Sequence, residues 1–399
     1  MSQRFKFDRM ELAGSLGDLG TLLPIAIAMI LFNGLNPLGL FLSIGLFYIL
    51  SGAYFGLTVP VQPMKVIGAY AIATSMSADQ VSASSLLMGF FLLILGLTGA
   101  IEAIRKVTPK SVIRGVQLST GALLISGGVR FLVGTSKFQV LQGAAEPYLA
   151  FQAMGPVPIS LAMGVIGGVL TLLFLDNKRF PAGLIIVGGG VLAGLALGAE
   201  FSPGSGGLGL HLPPILPFGF PGKADFSFAL LALVLPQLPM TLGNAVLAYT
   251  DLSREYFGER SARLTNQKAC LSMALANFFS FCLGGMPLCH GAGGLAAHYR
   301  FGARTAGSNL IIGLLLAALA ILLGDDIVSI LELLPLSILG VLLIFAGSQL
   351  ALTIIDLDSR KDYYVATLIL GITLASNLAA GFLVGIFVAH LLRWKKLSV

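Results

Sequence analysis

The chain has 399 residues, 56% of them hydrophobic and only 11% charged, against roughly 25% charged in a soluble globular protein. With a mean hydropathy of +0.92 and apolar runs of ~20 residues recurring throughout, most of it is expected inside a membrane, with no large soluble domain. The formal charge of +6 suits cytoplasmic Lys and Arg beside membrane spans rather than a nucleic-acid surface. Three cysteines without CxxC spacing support neither a disulfide framework nor a zinc site.

The N-terminal stretch MSQRFKFDRMELAG is basic but lacks a short apolar region with a small-residue cleavage site, so no cleaved signal peptide is expected. Apolar runs then predict spans over 13–32, 37–57, 61–75, 83–104, 112–132, 156–175 and 182–199. A Gly/Pro-rich connector follows at 200–225. The second set covers 226–249, 265–283, 287–297, 304–323, 333–352, 363–378 and 380–394. The expected fold is an all-α polytopic membrane protein with fourteen transmembrane segments, seven in 1–199 and seven in 226–399. With both termini cytoplasmic, twenty Lys and Arg fall inside and three (Arg130, Lys137 and Lys223) outside, as the positive-inside rule requires. Lys65 remains within a span.

An odd number of segments per half places homologous halves in opposite orientations, the inverted-repeat plan of many secondary transporters. Traces of a repeat are present. Leu19-Gly20-Thr21 in segment one aligns with Leu242-Gly243-Asn244 in segment eight, and Pro60 before segment three aligns with Pro287 before segment ten. Segments three and ten are too short for complete helices and open on proline, in "TVPVQPMKVIGAYAIA" and "GGMPLCHGAGGLAA". Irregular backbone at membrane depth must be buried in protein or line a cavity. Two half-helices entering from opposite sides would aim their N-termini at the midplane, where free N–H groups and about half a positive charge each attract anions. Adding Lys65 brings the sum to about +2, enough to balance a dianion.

The candidate site follows from these segments. Lys65 is an intramembrane cation, functional by its cost or else snorkelling to the interface. Gln62 could donate to an oxyanion or tie down the broken backbone. Thr21 and Asn244 are repeat-related polar positions expected to face the cavity. Gln237 is placed to line it too, unless Pro236 and Pro239 need it as a cap. His290 could bind the oxyanion or carry a proton, or be satisfied by backbone. Gly291 and Gly293 would act through their N–H groups. Asp18, between glycines, is a proton-coupling candidate or a structural partner for Lys65. No catalytic set, metal-ligand pattern or cofactor motif is recognised.

"GSLGDLGTLLPI", "PVQPMK", "QLPMTLGNAV" and "GGMPLCHGAGGLAAHYRFGARTAGSN" together resemble the molybdate transporter family, a relative of the sulfate permeases. The resemblance implies a uracil permease and sulfate permease-like fold with broken half-helices at segments three and ten. It implies a core domain of segments 1–4 and 8–11, a gate domain of segments 5–7 and 12–14, and a tetrahedral oxyanion held between the half-helices. The C-terminal regulatory domain of sulfate permeases is not seen after Trp394, which favours the molybdate branch. The expected function is proton-coupled import of molybdate across a plasma (inner) membrane by movement of core against gate. A homodimer through the gate domain is implied by resemblance alone. Sulfate or another oxyanion, an anion channel, and a nucleobase:proton symporter are the alternatives.

Overall fold

The computed structural model describes residues 4–101, 109–174, 182–201 and 209–394. Arg105, Lys106, Lys178, Arg179, Lys395 and Lys396, assigned above to the cytoplasm, and 202–208 of the connector lie outside the described residues. The fold is almost wholly helical. Helices α1 (Arg9–Ser15) and α2 (Leu19–Asn33) meet at a 41° bend. Then come α3 (Pro37–Phe55), β1 (Gln62–Pro63), α4 (Lys65–Thr74), α5 (Ala78–Thr98), α6 (Lys110–Val133) and the short α7 (Lys137–Gln142). A two-stranded hairpin, β2 (Ala153–Met154) and β3 (Val157–Pro158), leads into α8 (Ile159–Phe174) and α9 (Ala182–Ala196). The second half holds α10, a continuous helical run Lys223–Ser261, then α11 (Asn266–Leu283), β4 (Leu288–Cys289) and α12 (Ala292–Phe301). It closes with α13 (Ala306–Leu323), α14 (Leu336–Ala351), α15 (Arg360–Ala375) and α16 (Leu378–Leu391).

Helix starts follow local side-chain chemistry. Asn36 accepts from the Gly39 N–H ahead of Pro37, and Ser77 and Gln80 form a capping box at α5. Thr265, Thr305 and Asn377 cap α11, α13 and α16. In α10, Pro236 and Pro239 each remove a backbone donor, and wide π turns flank them at Ala229–Val234 and Thr241–Ala248.

Among the described residues, six helices are long and apolar enough to cross a membrane, or seven if α1 and α2 count as one bent span. Length alone therefore falls short of the fourteen crossings expected. Helices α4 and α12 have 10 residues each, about 15 Å at the helical rise of 1.5 Å per residue, half of a ~30 Å hydrocarbon core.

Both short helices are preceded by extended backbone, and β1 and β4 pair antiparallel, Gln62 opposite Cys289 and Pro63 opposite Leu288. Each strand has one exposed-edge problem to solve at membrane depth. Side chains from flanking helices solve it. Asn277 Nδ2 donates to Leu288 O at 2.8 Å, and its Oδ1 accepts from Leu288 N at 3.1 Å. Asn309 Oδ1 accepts from Val59 N at 2.8 Å, and its Nδ2 donates to Val59 O at 2.8 Å and Tyr48 O at 3.1 Å. The Tyr48 hydroxyl donates to Val61 O at 3.2 Å.

Helix α3 packs along α13, α5 along α11, and α6 along α14. The last pair approaches backbone to backbone. A Cβ on Gly121 would lie 2.5 Å from Gly347 O, and one on Gly347 would lie 2.6 Å from Gly121 O. This reciprocal contact joins residues 226 positions apart, close to the 227 that separate Gln62 from Cys289.

Candidate functional site

The N-termini of α4 and α12 meet beside the β1–β4 pair and border a cavity of about 280 Å³. Asp18, Thr21, Gln62, Lys65, Asn244 and Gly293 all line it. Asp18 and Thr21 come from the start of α2, Lys65 is the first residue of α4, and Gly293 lies in the first turn of α12. Asn244 comes from the second π turn of α10, whose extra residue per turn alters the direction of side chains that follow the prolines.

Asp18 is buried, and Gln62 Nε2 donates to both of its oxygens, at 2.9 and 2.7 Å. Its carboxylate also lies against the first turn of α12, where a Cβ on Gly294 would come within 2.5 Å of Oδ2. Lys65 faces the same cavity and attracts it. Asp18 thus bridges the two half-helices, touching the α12 end directly and the β1 strand through Gln62. The other Gln62 amide atom, Oε1, is buried with no hydrogen-bond partner among the described residues and lies against Gly291, where a Cβ would collide with it.

Three residues expected in the cavity lie behind it. Gln237 Oε1 accepts from Val66 N at 3.0 Å and Ile67 N at 3.3 Å, while its Nε2 donates to Thr241 Oγ1 at 2.8 Å. It caps α4, the structural alternative that the neighbouring prolines suggested, because both of its amide atoms are committed to protein. His290 is fully buried, with Nδ1 3.0 Å from Pro60 O and Nε2 3.2 Å from Ser272 Oγ. Its ring packs against Phe47 (4.8 Å) and Tyr249 (5.0 Å) and does not line the cavity. Gly291 is the N-cap position of α12 and is buried against Gln62.

The opposite wall was missed by the sequence reading. Gln117 of α6, and Gln349 and Thr353 of α14 and its 3-10 extension, line the cavity. Gln117 Oε1 accepts from Thr353 Oγ1 at 3.0 Å and from Arg114 Nη1 at 2.8 Å, and Arg114 pairs with Asp356. The available signal was an amide side chain inside each of two predicted spans, Gln117 in 112–132 and Gln349 in 333–352. Toward the other end of α6, Phe32 of α2 stacks on Phe131 at 4.7 Å and meets Phe138 edge-on at 5.5 Å.

This architecture has solved counterparts. The transmembrane domain of the cyanobacterial bicarbonate transporter BicA is similar with a TM-score of 0.66 at 16% identity, covering 96% of this chain and 97% of that one. The murine Slc26a9 anion transporter, described in its inward-facing state, is similar with a TM-score of 0.69 at 15% identity, covering 98% of this chain and 69% of that one. The class is therefore a mostly helical polytopic membrane protein with the SLC26-type fold. Within that class the sequence is more specific. A family described as "Molybdate transporter of MFS superfamily" matches residues 10–124 and 229–350. Molybdate transporter 1 of Chlamydomonas reinhardtii is 32% identical, over 94% of this chain and 90% of that protein. Molybdate transporter 1 of Arabidopsis thaliana is 28% identical, over 96% and 87%. The chain belongs to this molybdate transporter family.

Proposed function

We propose that the chain is a secondary transporter that imports molybdate, a tetrahedral dianion, with a proton as co-substrate. The observation that carries the reading is the cavity itself. Two half-helix N-termini, Lys65 and the amide of Asn244 converge with Asp18 on one space of about 280 Å³, and these groups leave it a net positive charge of about +1 even with Asp18 ionised, which suits an oxyanion. The names of the relatives supply molybdate as the anion.

In this reading fourteen segments form two inverted repeats, 1–199 and 226–399, joined by the 200–225 connector. The self-paired contacts Gln62–Cys289 and Gly121–Gly347 support it, since both join residues separated by one repeat length. A core of segments 1–4 and 8–11 holds Asp18, Thr21, Gln62, Lys65, Asn244 and Gly293. A gate of segments 5–7 and 12–14 contributes Gln117, Gln349 and Thr353. The anion thus sits between the two bodies, and sliding core against gate exposes it to each side in turn. The Phe32–Phe131–Phe138 cluster joins segment one to segment five and the helix after it, at what is the outer end in this reading. Both termini are cytoplasmic in a plasma (inner) membrane, and two copies associate through their gates.

Coupling has an energetic motive. Carrying each negative charge inward costs ~2.3 kcal/mol per 100 mV of inside-negative potential. Asp18 is the proton carrier of this scheme, because it is the acid that lines the cavity. The test is calorimetric binding of molybdate to purified protein, with sulfate, phosphate, bicarbonate and uracil as competitors, on wild type and Lys65→Ala. Molybdate binding that Lys65→Ala weakens supports the site. Equal displacement by sulfate makes it a general oxyanion carrier. Binding of uracil in place of oxyanions refutes the proposal.

A further inference from the structure

A pair of further cavities lies away from the anion path, on the outer surface of the bundle. The first, about 330 Å³, is a groove between α3 and α11, lined by Phe47, Ser51, Tyr54, Leu275 and Ser272 and closed at one end by Lys268. Tyr54 and Leu275 are about half exposed, so the groove opens where lipid chains run. It extends from Ser43 to Tyr54 along α3, about 16 Å at the helical rise, the depth of one leaflet of a ~30 Å core. The second cavity, about 540 Å³, adjoins it at the same end. Phe55 and Gly56 continue directly from Tyr54, and Arg4, Arg260 and Arg263 line it against a single acid, Glu259. Arg4 bonds the carbonyls of Ala53 and Tyr54 and so stands at the junction of the two.

An apolar slot one leaflet deep, ending in a cationic recess, is complementary to one kind of molecule. We propose that this face binds an anionic phospholipid, with an acyl chain between α3 and α11 and the phosphate among Arg4, Arg260, Arg263 and Lys268. The cationic end faces the cytoplasmic leaflet in the orientation proposed above; the site itself does not depend on the transported anion. The bound chain would brace the half-helix crossover from behind. Ser272 in the groove wall is hydrogen-bonded to His290, and Phe47 packs on the same imidazole.

The experiment is a titration of detergent-purified protein with phosphatidylglycerol or phosphatidylcholine, read by native mass spectrometry, with sn-glycerol 3-phosphate as a soluble competitor. Phosphatidylglycerol is expected to bind more tightly. Arg263→Gln/Lys268→Gln should weaken it by about fivefold per cation, roughly 30-fold in all, leaving phosphatidylcholine unchanged. Leu275→Trp, a substitution at an exposed position that fills the groove, should weaken both lipids. Arg360→Gln/Lys361→Gln, which removes the same charge at the start of α15, on the cytoplasmic side of the proposed orientation but away from the groove, should change neither. An equal loss in this control would reduce the effect to general surface charge. Displacement of the lipid by glycerol phosphate, or indifference to Leu275→Trp, would leave a free-phosphate site and overturn the acyl-chain assignment. Unchanged elution and melting temperature keep the variants interpretable, and Arg263→Gln alone serves where the double variant does not fold.

Discussion

Substitution of Asp18 by Asn tests how the site handles charge. An ionised Asp18 cancels Lys65, so the empty cavity carries only the two half-helix ends, about +1 together, and not the +2 counted from Lys65 and the half-helices alone. A cavity of about 280 Å³ with Asp18 in its wall puts the carboxylate ~6 Å from the centre of a bound anion. At an effective dielectric of ~20 a dianion and a carboxylate repel at that distance by about 5.5 kcal/mol. Protonating an ordinary aspartate at neutral pH costs only about 4 kcal/mol, three pH units at ~1.36 kcal/mol each. Protonation is the cheaper course, so the dianion should enter with a proton on Asp18. While Asp18 is ionised in the empty site, molybdate affinity in wild type should then rise about tenfold per unit of acidification. In Asp18→Asn that slope should vanish, with tight binding kept at high pH. Calorimetry at several pH values, in buffers of different ionisation enthalpy, reads both the slope and the number of protons taken up. A wild-type affinity independent of pH, or a slope that survives Asp18→Asn, refutes the reasoning.

Gln237→Leu should leave the Val66 and Ile67 N–H groups without an acceptor and destabilise the protein by about 2–6 kcal/mol, at ~1–3 kcal/mol per orphaned group; a thermal melt in detergent would show it, and an unchanged melting temperature would deny the cap. His290→Phe should likewise lower stability, through the lost bonds to Pro60 and Ser272, while leaving the pH slope of molybdate binding intact. Loss of that slope would return His290 to the proton route. Gly121→Ala should force α6 from α14 and cost about 1–3 kcal/mol, whereas Gly127→Ala on the same helix, with nothing within 4 Å, should be tolerated; equal melting temperatures would refute the close crossing.

The half-helices were legible because two independent signals coincide. Pro60, Pro63 and Pro287 forbid regular helix at their positions, and the apolar runs beyond them are too short to cross. The first-turn positions Lys65 and Gly293 followed from that. Gln237 and His290 were harder, since a polar residue near a break can turn either toward the cavity or toward the backbone that the break exposes. Gln237 turns to the backbone of α4, a contact between residues 171 positions apart that no local pattern encodes. Gln117, Gln349 and Thr353 escaped for another reason. They sit in regular helices, and their meeting depends on α6 crossing α14 at Gly121 and Gly347, a packing fact invisible to periodicity.

The two half-helix ends are not equivalent, and that asymmetry bears on mechanism. Each is met by a side chain from the first long helix of the opposite half: α4 by Gln237 of α10, α12 by Asp18 of α2. A neutral amide occupies one end and an acid the other. The amide satisfies two donors at any pH, so the α4 end offers the anion chiefly the charge of Lys65. The acid lies against the α12 end, adding about one unit of negative charge there when ionised and none when protonated. In the proposed scheme only this end changes its attraction for an anion, by a single proton. Two acidic caps would leave the site too negative for a dianion, and two amides would leave it permanently attractive, with no proton to couple. In the proposed scheme one of each gives a site whose affinity is set by one protonation, matched to the single charge by which the empty cavity falls short of the dianion.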